Sequence, residues 1–488
     1  MAANAAGKVM KTLKIAVGTL IFIAAALLLF RIYDVKKGPE LERWHTYTPE
    51  EMTVRELDSA TWSDYLKREE QIFNDVRKNI TDRIHASADA GGNRYFAKSP
   101  VYPPHFARDW NRSFILKPKG TAVGVAVLLH GLTDAPYTLR HIAKHYTERG
   151  FISIGLRIPG HGTVPAALSN IEWETWLAAV RLAVREAQKR STPSLPIHLV
   201  GFSNGGALAV KYTLDSLQDD SLRRPDQLVL ISPMIGVIPL ARFAGLAQIP
   251  ALSDSGRAAW LNVTPEYNPF KYNSMHINVP QQSHRLSSAL QEQVASLSDK
   301  ERESMPPVLT FHSVEDTTVS TVAVISRLYA YLPQNGSELV LFIINRSATY
   351  GTAVQSALSL LTNQLLPAPP RKYSVTLISN QVGKDDRAFL TTIKAGETEE
   401  RSRDLMVRFP SSLLSLPHFA VPTPVYDPLY GAEPRKGTEK DYGVNLGLIA
   451  AGVKQETQLV NPDFLFRLGS NPFFPYMLER IDKVIERR

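Results

Sequence analysis

The chain has 488 residues, 44% hydrophobic and 21% charged, with a formal net charge of +8 and no cysteine. That composition describes a globular chain long enough for a sizeable core, and it excludes a disulfide framework, a thiolate metal site and a cysteine nucleophile. Lysines and arginines are scattered rather than clustered, which argues against nucleic acid as a partner.

Residues 15–30 carry no charge and are almost wholly apolar; Lys8, Lys11 and Lys14 precede them, and Arg31, Lys36 and Lys37 follow. A helix spans a bilayer with about 20 residues, a length reached here if Lys14 and Arg31 reach out to the interfaces. The reading for 1–36 is an uncleaved transmembrane anchor. The alternative is a cleaved secretory signal, which places small residues after its apolar core. Here Ala24, Ala25 and Ala26 come before Leu27, Leu28, Leu29 and Phe30. The N-terminal lysines favour an inside N-terminus and an exported body. Lack of cysteine suits an oxidising compartment.

Residues 37–105 read as a helical connector, with Leu66, Ile72, Phe73, Val76 and Ile80 as an apolar stripe on a charged helix. Gly91, Gly92, Pro100, Pro103 and Pro104 mark irregular chain. A short strand is expected at 112–116. The run 123–129 is continuously apolar, as in a parallel strand buried on both faces, and ends at His130-Gly131-Leu132-Thr133-Asp134. A helix over 137–149, a strand over 151–157 and the turn Pro159-Gly160-His161-Gly162 follow. A helix is expected at 173–189, and strands at 197–200, 228–232 and 307–312. Strands alternating with helices predict an α/β fold with a mostly parallel, doubly wound sheet.

The core is expected in two parts, 106–234 and 306–488. Residues 235–305 between them are too long for a simple crossover and read as a helical lid or, equally, as a stabilising helical subdomain with no gating role. The second part holds strand-like runs at 339–345 and 373–379, a helix at 353–366 and a closing helix at 474–487.

Residues 197–210 read IHLVGFSNGGALAV. An apolar strand runs into Gly201-Phe202-Ser203-Asn204-Gly205-Gly206, and a helix starts directly after. Strand, glycine-flanked serine and helix are the context of a nucleophile elbow. The glycines are needed because side chains would collide in so sharp a turn. The turn lifts the Ser203 hydroxyl out of the sheet and aims the first helical amides at the same point.

The succession HGLTD, PGHG and GFSNG resembles the α/β-hydrolase fold and, within it, the serine aminopeptidase and monoglyceride lipase-like group. The likeness covers residues 120–420. It implies the chain order serine, acid, histidine. The family places its aspartate after a late strand and just before an apolar residue that opens a helix. Asp316 fits, with Val319 after it; Glu315 is the neighbouring alternative. Of 12 histidines, only His418 lies C-terminal to Asp316. The interval between them requires an insertion, 346–412, that returns the chain to the site.

On this reading His418 takes the proton of Ser203 as it attacks a carbonyl carbon, and Asp316 holds the imidazole. The backbone N–H groups of Leu132 and Asn204 meet the oxyanion. His130 and His161 are expected to hold their loops. No metal or cofactor is required. The expected activity is a serine esterase acting on acyl or lipid-like esters, membrane-anchored through its N-terminal helix. The alternatives are a peptidase of the same fold, an acyltransferase, or a non-catalytic protein that keeps the fold.

Overall fold

The computed structural model describes residues 37–486 except 85–91, 193, 237–255, 344–364, 381–386, 409–415, 435–441 and 448–468, together with scattered positions between 14 and 33. Ten strands form one sheet. In chain order they are β1 (Phe114–Leu116), β2 (Gly124–Leu129), β3 (Phe151–Leu156), β4 (Ile197–Phe202) and β5 (Gln227–Ile231), then β8 (Val308–Ser313), β9 (Glu338–Phe342), β10 (Ser374–Asn380), β11 (Arg387–Ile393) and β12 (Arg401–Arg408). The short pair β6 (Trp260–Asn262) and β7 (Met275–His276) stands apart. The sheet order is β1-β3-β2-β4-β5-β8-β9-β10-β11-β12. From β3 to β10 neighbouring strands are parallel, while β1, β11 and β12 add antiparallel edges.

The strand sequences explain why this sheet is covered on both sides. Val125, Val127 and Leu129 of β2 join one apolar cluster with Ile197 and Leu199 of β4 and Leu228 and Leu230 of β5. The alternate residues Ala126, Leu128, Val200, Phe202, Val229 and Ile231 join a second cluster on the opposite face. This is the period-2 alternation of a strand with both faces apolar. The first face is covered by α3 (Trp173–Arg190), α4 (Asn204–Gln218) and α5 (Asn278–Ser296). The second is covered by α2 (Arg140–Glu148) and α7 (Phe474–Ile485).

The N-terminal connector is part of the body. Its long helix α1 (Trp62–Asn79) starts with a capping box in which Thr61 accepts from the Asp64 amide and Asp64 answers at Thr61. Its buried face is Tyr65, Glu69, Ile72 and Val76, while Leu66, expected in the stripe, is exposed. Two carboxylates anchor the connector on Arg157, which is fully buried after β3. Glu51 Oε1 lies 2.7 Å from Arg157 Nη1, and Glu69 Oε2 lies 3.1 Å from Nε. Glu51 also accepts the Gly160 amide at 2.8 Å, so the connector holds the PGHG turn directly.

One expectation changes, and two others fall mostly outside the described residues. The lid expected over 235–305 is not what its described part builds. Helix α5 buries Val279, Leu286, Leu290 and Val294 in the main core beside α3 and α4, because its apolar stripe faces the sheet layer; residues 237–255 lie outside the described residues. The membrane helix expected at the N-terminus falls mostly outside them too. Among the described residues no helix is long and apolar enough to cross a membrane. The expected helix at 353–366 also lies almost wholly outside. The interval between Asp316 and His418 takes a definite form: β10 adds in parallel to β9, and β11 and β12 fold back antiparallel, widening the sheet before the chain returns.

Candidate active site

The register of the parallel strands sets the site. Leu129 of β2 pairs with Gly201 of β4, Gly201 with Leu230 of β5, and Ile231 with Phe311 of β8. The carboxyl ends of these strands therefore share one rim, where open α/β sheets place their sites.

Ser203 stands on that rim between β4 and α4. Its backbone has φ 54° and ψ −117°, a conformation that an L-residue rarely adopts. Its amide donates to the Ile231 carbonyl at 2.9 Å, and its carbonyl accepts from Gly206 and Met234 at 3.0 Å each. Neighbours enforce the glycines. A Cβ on Gly205 would sit 2.6 Å from the His130 carbonyl oxygen and nearer still to that of Leu129; one on Gly206 would sit 2.8 Å from Pro233 Cβ.

Asp316 follows β8 on a tight turn. Its Oδ1 accepts the amides of Thr318 at 2.8 Å and Val319 at 3.0 Å. Its Oδ2 faces His418 Nδ1 at 2.6 Å. Both side chains are buried, at 0% and 3% exposure. Burial by itself would raise the Asp316 carboxyl. The imidazole of His418, its hydrogen bond and the turn amides outweigh that and hold it below the usual carboxylate range. The bond from His418 goes to Asp316 and not to Glu315, which is raised by its own burial.

His418 opens a single 3₁₀ turn, His418–Ala420, after Pro417. Its ring lies 5.1 Å from that of Phe202, the residue before Ser203, and 5.1 Å from that of Phe419. Its Nε2 is buried and has no partner among the described residues. An ionised carboxylate only accepts, so Nδ1 carries the hydrogen and Nε2 the lone pair.

The HGLTD loop abuts the serine. A Cβ on Gly131 would come within 3.2 Å of Ser203 Cβ. His130 Nδ1 donates to the Gly131 carbonyl at 2.8 Å, and its Nε2 accepts the Ile158 amide at 3.0 Å. Thr133 has φ 56°, and its carbonyl accepts the Tyr272 amide at 2.7 Å. Thr138 donates to Asp134 at 2.6 Å. His130 and His161 thus hold loops, with ring centroids 5.0 Å apart. The amides of Leu132 and Asn204 make no backbone hydrogen bond among the described residues. The Asn204 side chain is fully buried, and neither of its polar atoms has a partner among the described residues.

Sequence reasoning missed several neighbours. His312, fully buried at the end of β8, contacts Thr321 Oγ1 at 3.0 Å, and that hydroxyl reaches the Ser313 and Val314 carbonyls before Asp316. Lys271 is buried with Nζ 4.7 Å from the Phe419 ring and 5.0 Å from that of Tyr430. Neither carried a local signal, because each partner is distant in sequence or lies in a turn. Among the described residues no group of three or more His, Asp and Glu side chains is arranged to hold a metal ion.

A mostly parallel sheet covered on both faces, with a strained serine elbow on its carboxyl rim, is the α/β-hydrolase fold. Residues 120–342 match the family described as serine aminopeptidase, S33. A thermostable monoacylglycerol lipase from Bacillus sp. (strain H-257) is 31% identical over 88 residues, which are 18% of this chain and 34% of that protein. The match therefore spans about a third of that relative's length. Among solved structures, a soluble variant of monoglyceride lipase from Saccharomyces cerevisiae is 14% identical with a TM-score of 0.37, over 52% of this chain and 90% of that one. A monoacylglycerol lipase from Paleococcus ferrophilus is 17% identical with a TM-score of 0.35, over 52% of this chain and 99% of that one. Residues 120–342 are thus similar to the serine aminopeptidase family, and an 88-residue stretch to a monoacylglycerol lipase. The family match ends at residue 342, before His418, which comes from the chain beyond β12.

Proposed function

We propose that the chain is a serine hydrolase that cleaves carboxylic esters through Ser203, His418 and Asp316. The observation that carries this reading is the 2.6 Å bond from His418 Nδ1 to Asp316, which leaves Nε2 unpartnered beside the elbow. A serine hydroxyl is a weak nucleophile at neutral pH, and Nε2 accepts its proton as Oγ attacks the carbonyl carbon. The developing oxyanion takes hydrogen bonds from the amides of Leu132 and Asn204. His418 then gives the proton to the leaving alcohol. Water deprotonated by the same nitrogen releases the acid and restores the serine.

An acyl or lipid-like ester is the preferred substrate class. The monoacylglycerol lipase similarity over 88 residues supports it. Cleavage of amides is the second reading, favoured by the serine aminopeptidase match. The uncharged run 15–30 supports a membrane-anchored chain with an exported body. The test is labelling of the full chain by a fluorophosphonate, with and without Ser203→Ala, followed by matched panels of acyl esters and aminoacyl amides. Labelling lost in the variant and faster ester turnover are expected. Full ester hydrolysis by Ser203→Ala overturns the reading, and preference for amides moves it to the peptidase.

A further inference from the structure

A cavity of about 250 Å³ lies between α1 and the chain around residues 94–112, also lined by Gly162 and Thr163. None of Ser203, Asp316, His418, Leu132 and Asn204 lines it. Its walls combine apolar rings with charged groups. Phe73, Tyr102 and Pro103 supply the first; Arg77, Arg94 and Arg112, with Glu70 and Asp109 paired to Arg112, supply the second.

The three guanidinium groups are not equivalent. Arg112 is engaged by Glu70, by Asp109 at 3.5 Å and by the face of Phe73 at 4.1 Å. Arg77 makes no ion pair among the described residues and is exposed. Arg94 is only 2% exposed. Its Nη groups donate to neutral acceptors: the Lys271 carbonyl at 3.3 Å, Asn111 Oδ1 at 3.0 Å and the Gly162 carbonyl at 3.3 Å. Its Nε has no partner among the described residues. The Glu266 carboxylate acts on Arg94 through space, but its oxygens are taken by the amides of Asn273 and Ser274. A guanidinium stays charged in a protein, and an unused N–H on a buried charge is costly.

We propose that this cavity binds a small carboxylate with an apolar body. The carboxylate is held by Arg94 and Arg77, and the body lies against Phe73 and Tyr102. A planar guanidinium matches a carboxylate in shape and charge. The ring-lined wall favours an organic acid over a bare inorganic anion. The volume falls just below the ~300–1,000 Å³ of ordinary small-molecule pockets, so the ligand is smaller than a typical drug. This site does not depend on the chemistry assigned to Ser203.

The test is calorimetric titration of the full chain with phenylacetate, its neutral isostere phenylacetamide, and inorganic phosphate. One phenylacetate site per chain is expected, with phenylacetamide at least tenfold weaker and phosphate not competing. Arg77→Gln is expected to weaken phenylacetate at least fivefold, with ester turnover and melting temperature unchanged. Arg94→Lys keeps the charge but loses the fork; it is expected to abolish binding, its fold being checked by circular dichroism. Equal binding of the amide, equal binding of phosphate, no effect of Arg77→Gln, or displacement of phenylacetate by a phosphonate on Ser203 overturns the proposal.

Discussion

His418 donates from Nδ1 to Asp316 Oδ2 over 2.6 Å, although 102 residues separate the two in sequence. The strands β10, β11 and β12 fill that interval, and the chain then turns back through Pro417 to the rim where Asp316 ends β8. Both carboxylate oxygens are engaged: Oδ1 takes two turn amides while Oδ2 takes the imidazole. The ring is thus fixed in one tautomer, with Nδ1 donating and Nε2 left without a partner among the described residues.

Replacing Asp316 by Asn tests that division of labour. The amide keeps the shape but offers His418 either a donor or a weaker acceptor, so the tautomer with a bare Nε2 is no longer enforced. Ester turnover is expected to fall about 10⁴-fold, the scale seen when a triad carboxylate becomes an amide. Fluorophosphonate labelling should slow in parallel, while near-UV circular dichroism stays unchanged. Glu315→Gln, on the adjacent residue, is expected to leave turnover within twofold.

Arg157 joins the connector to the turn after β3. Its side chain is fully buried between Glu51 and Glu69, and the Tyr65 hydroxyl donates to its backbone carbonyl. Burial works against its charge, but the two carboxylates hold the guanidinium more firmly protonated than usual. Arg157→Met would strand two carboxylates in a dry setting. Breaking one partner of a buried ion pair costs about 3–5 kcal/mol. A loss of that size is expected in urea denaturation. Turnover at low temperature should also fall, because Glu51 holds the Gly160 amide behind the HGLTD loop.

Much of this arrangement was legible from residue patterns. β2, β4, β5 and β8 are short apolar runs closed by turn residues, and burial on both faces leaves them no other reading. The elbow was legible because only glycine fits around Ser203. β11 and β12 were not. β12 is RSRDLMVR, an edge strand whose side chains are largely exposed, so it lacks the apolar alternation that marks a strand. Helix α5 is amphipathic, but an apolar stripe in a sequence does not say whether it faces a ligand or a core. Arg94 and Arg157 had no signal at all, since their partners lie far away in sequence.

Gly205 gives a backbone test. It lies where α4 passes under the end of β2, and a Cβ there would press on the carbonyl oxygens of Leu129 and His130. Neither can retreat, because β2 is paired on both sides. Gly205→Ala is expected to lower the melting temperature by several degrees and to abolish labelling of Ser203. Gly120→Ala, where a Cβ meets nothing within 4 Å, should change neither. Normal labelling of Gly205→Ala would mean that the helix sits farther from the HGLTD loop than described.

Stability should depend on pH in one direction on the acid side. Burial holds the imidazoles of His161 and His312 down to about 4, and that of His198 to about 3, below the ordinary 6.5. Each is neutral in the folded chain near pH 6, while the unfolded chain takes up a proton there. Their contribution is therefore complete above pH 6.5 and is lost as pH falls from 6.5 through about 4. A full depression from 6.5 to about 4 corresponds to about 3 kcal/mol for one group. Asp316 and Asp427 are both held below the ordinary carboxylate range, so their losses come only at lower pH. The melting temperature is expected to be flat from pH 8 to 7 and to fall steadily between pH 6.5 and 4.5. His198→Leu removes one of the imidazoles, at the start of β4 away from the serine, and should flatten the slope while costing the contact between His198 Nδ1 and the Tyr146 hydroxyl. A wild-type melting temperature that holds constant to pH 5 would mean that these rings are charged in the folded chain or open to water.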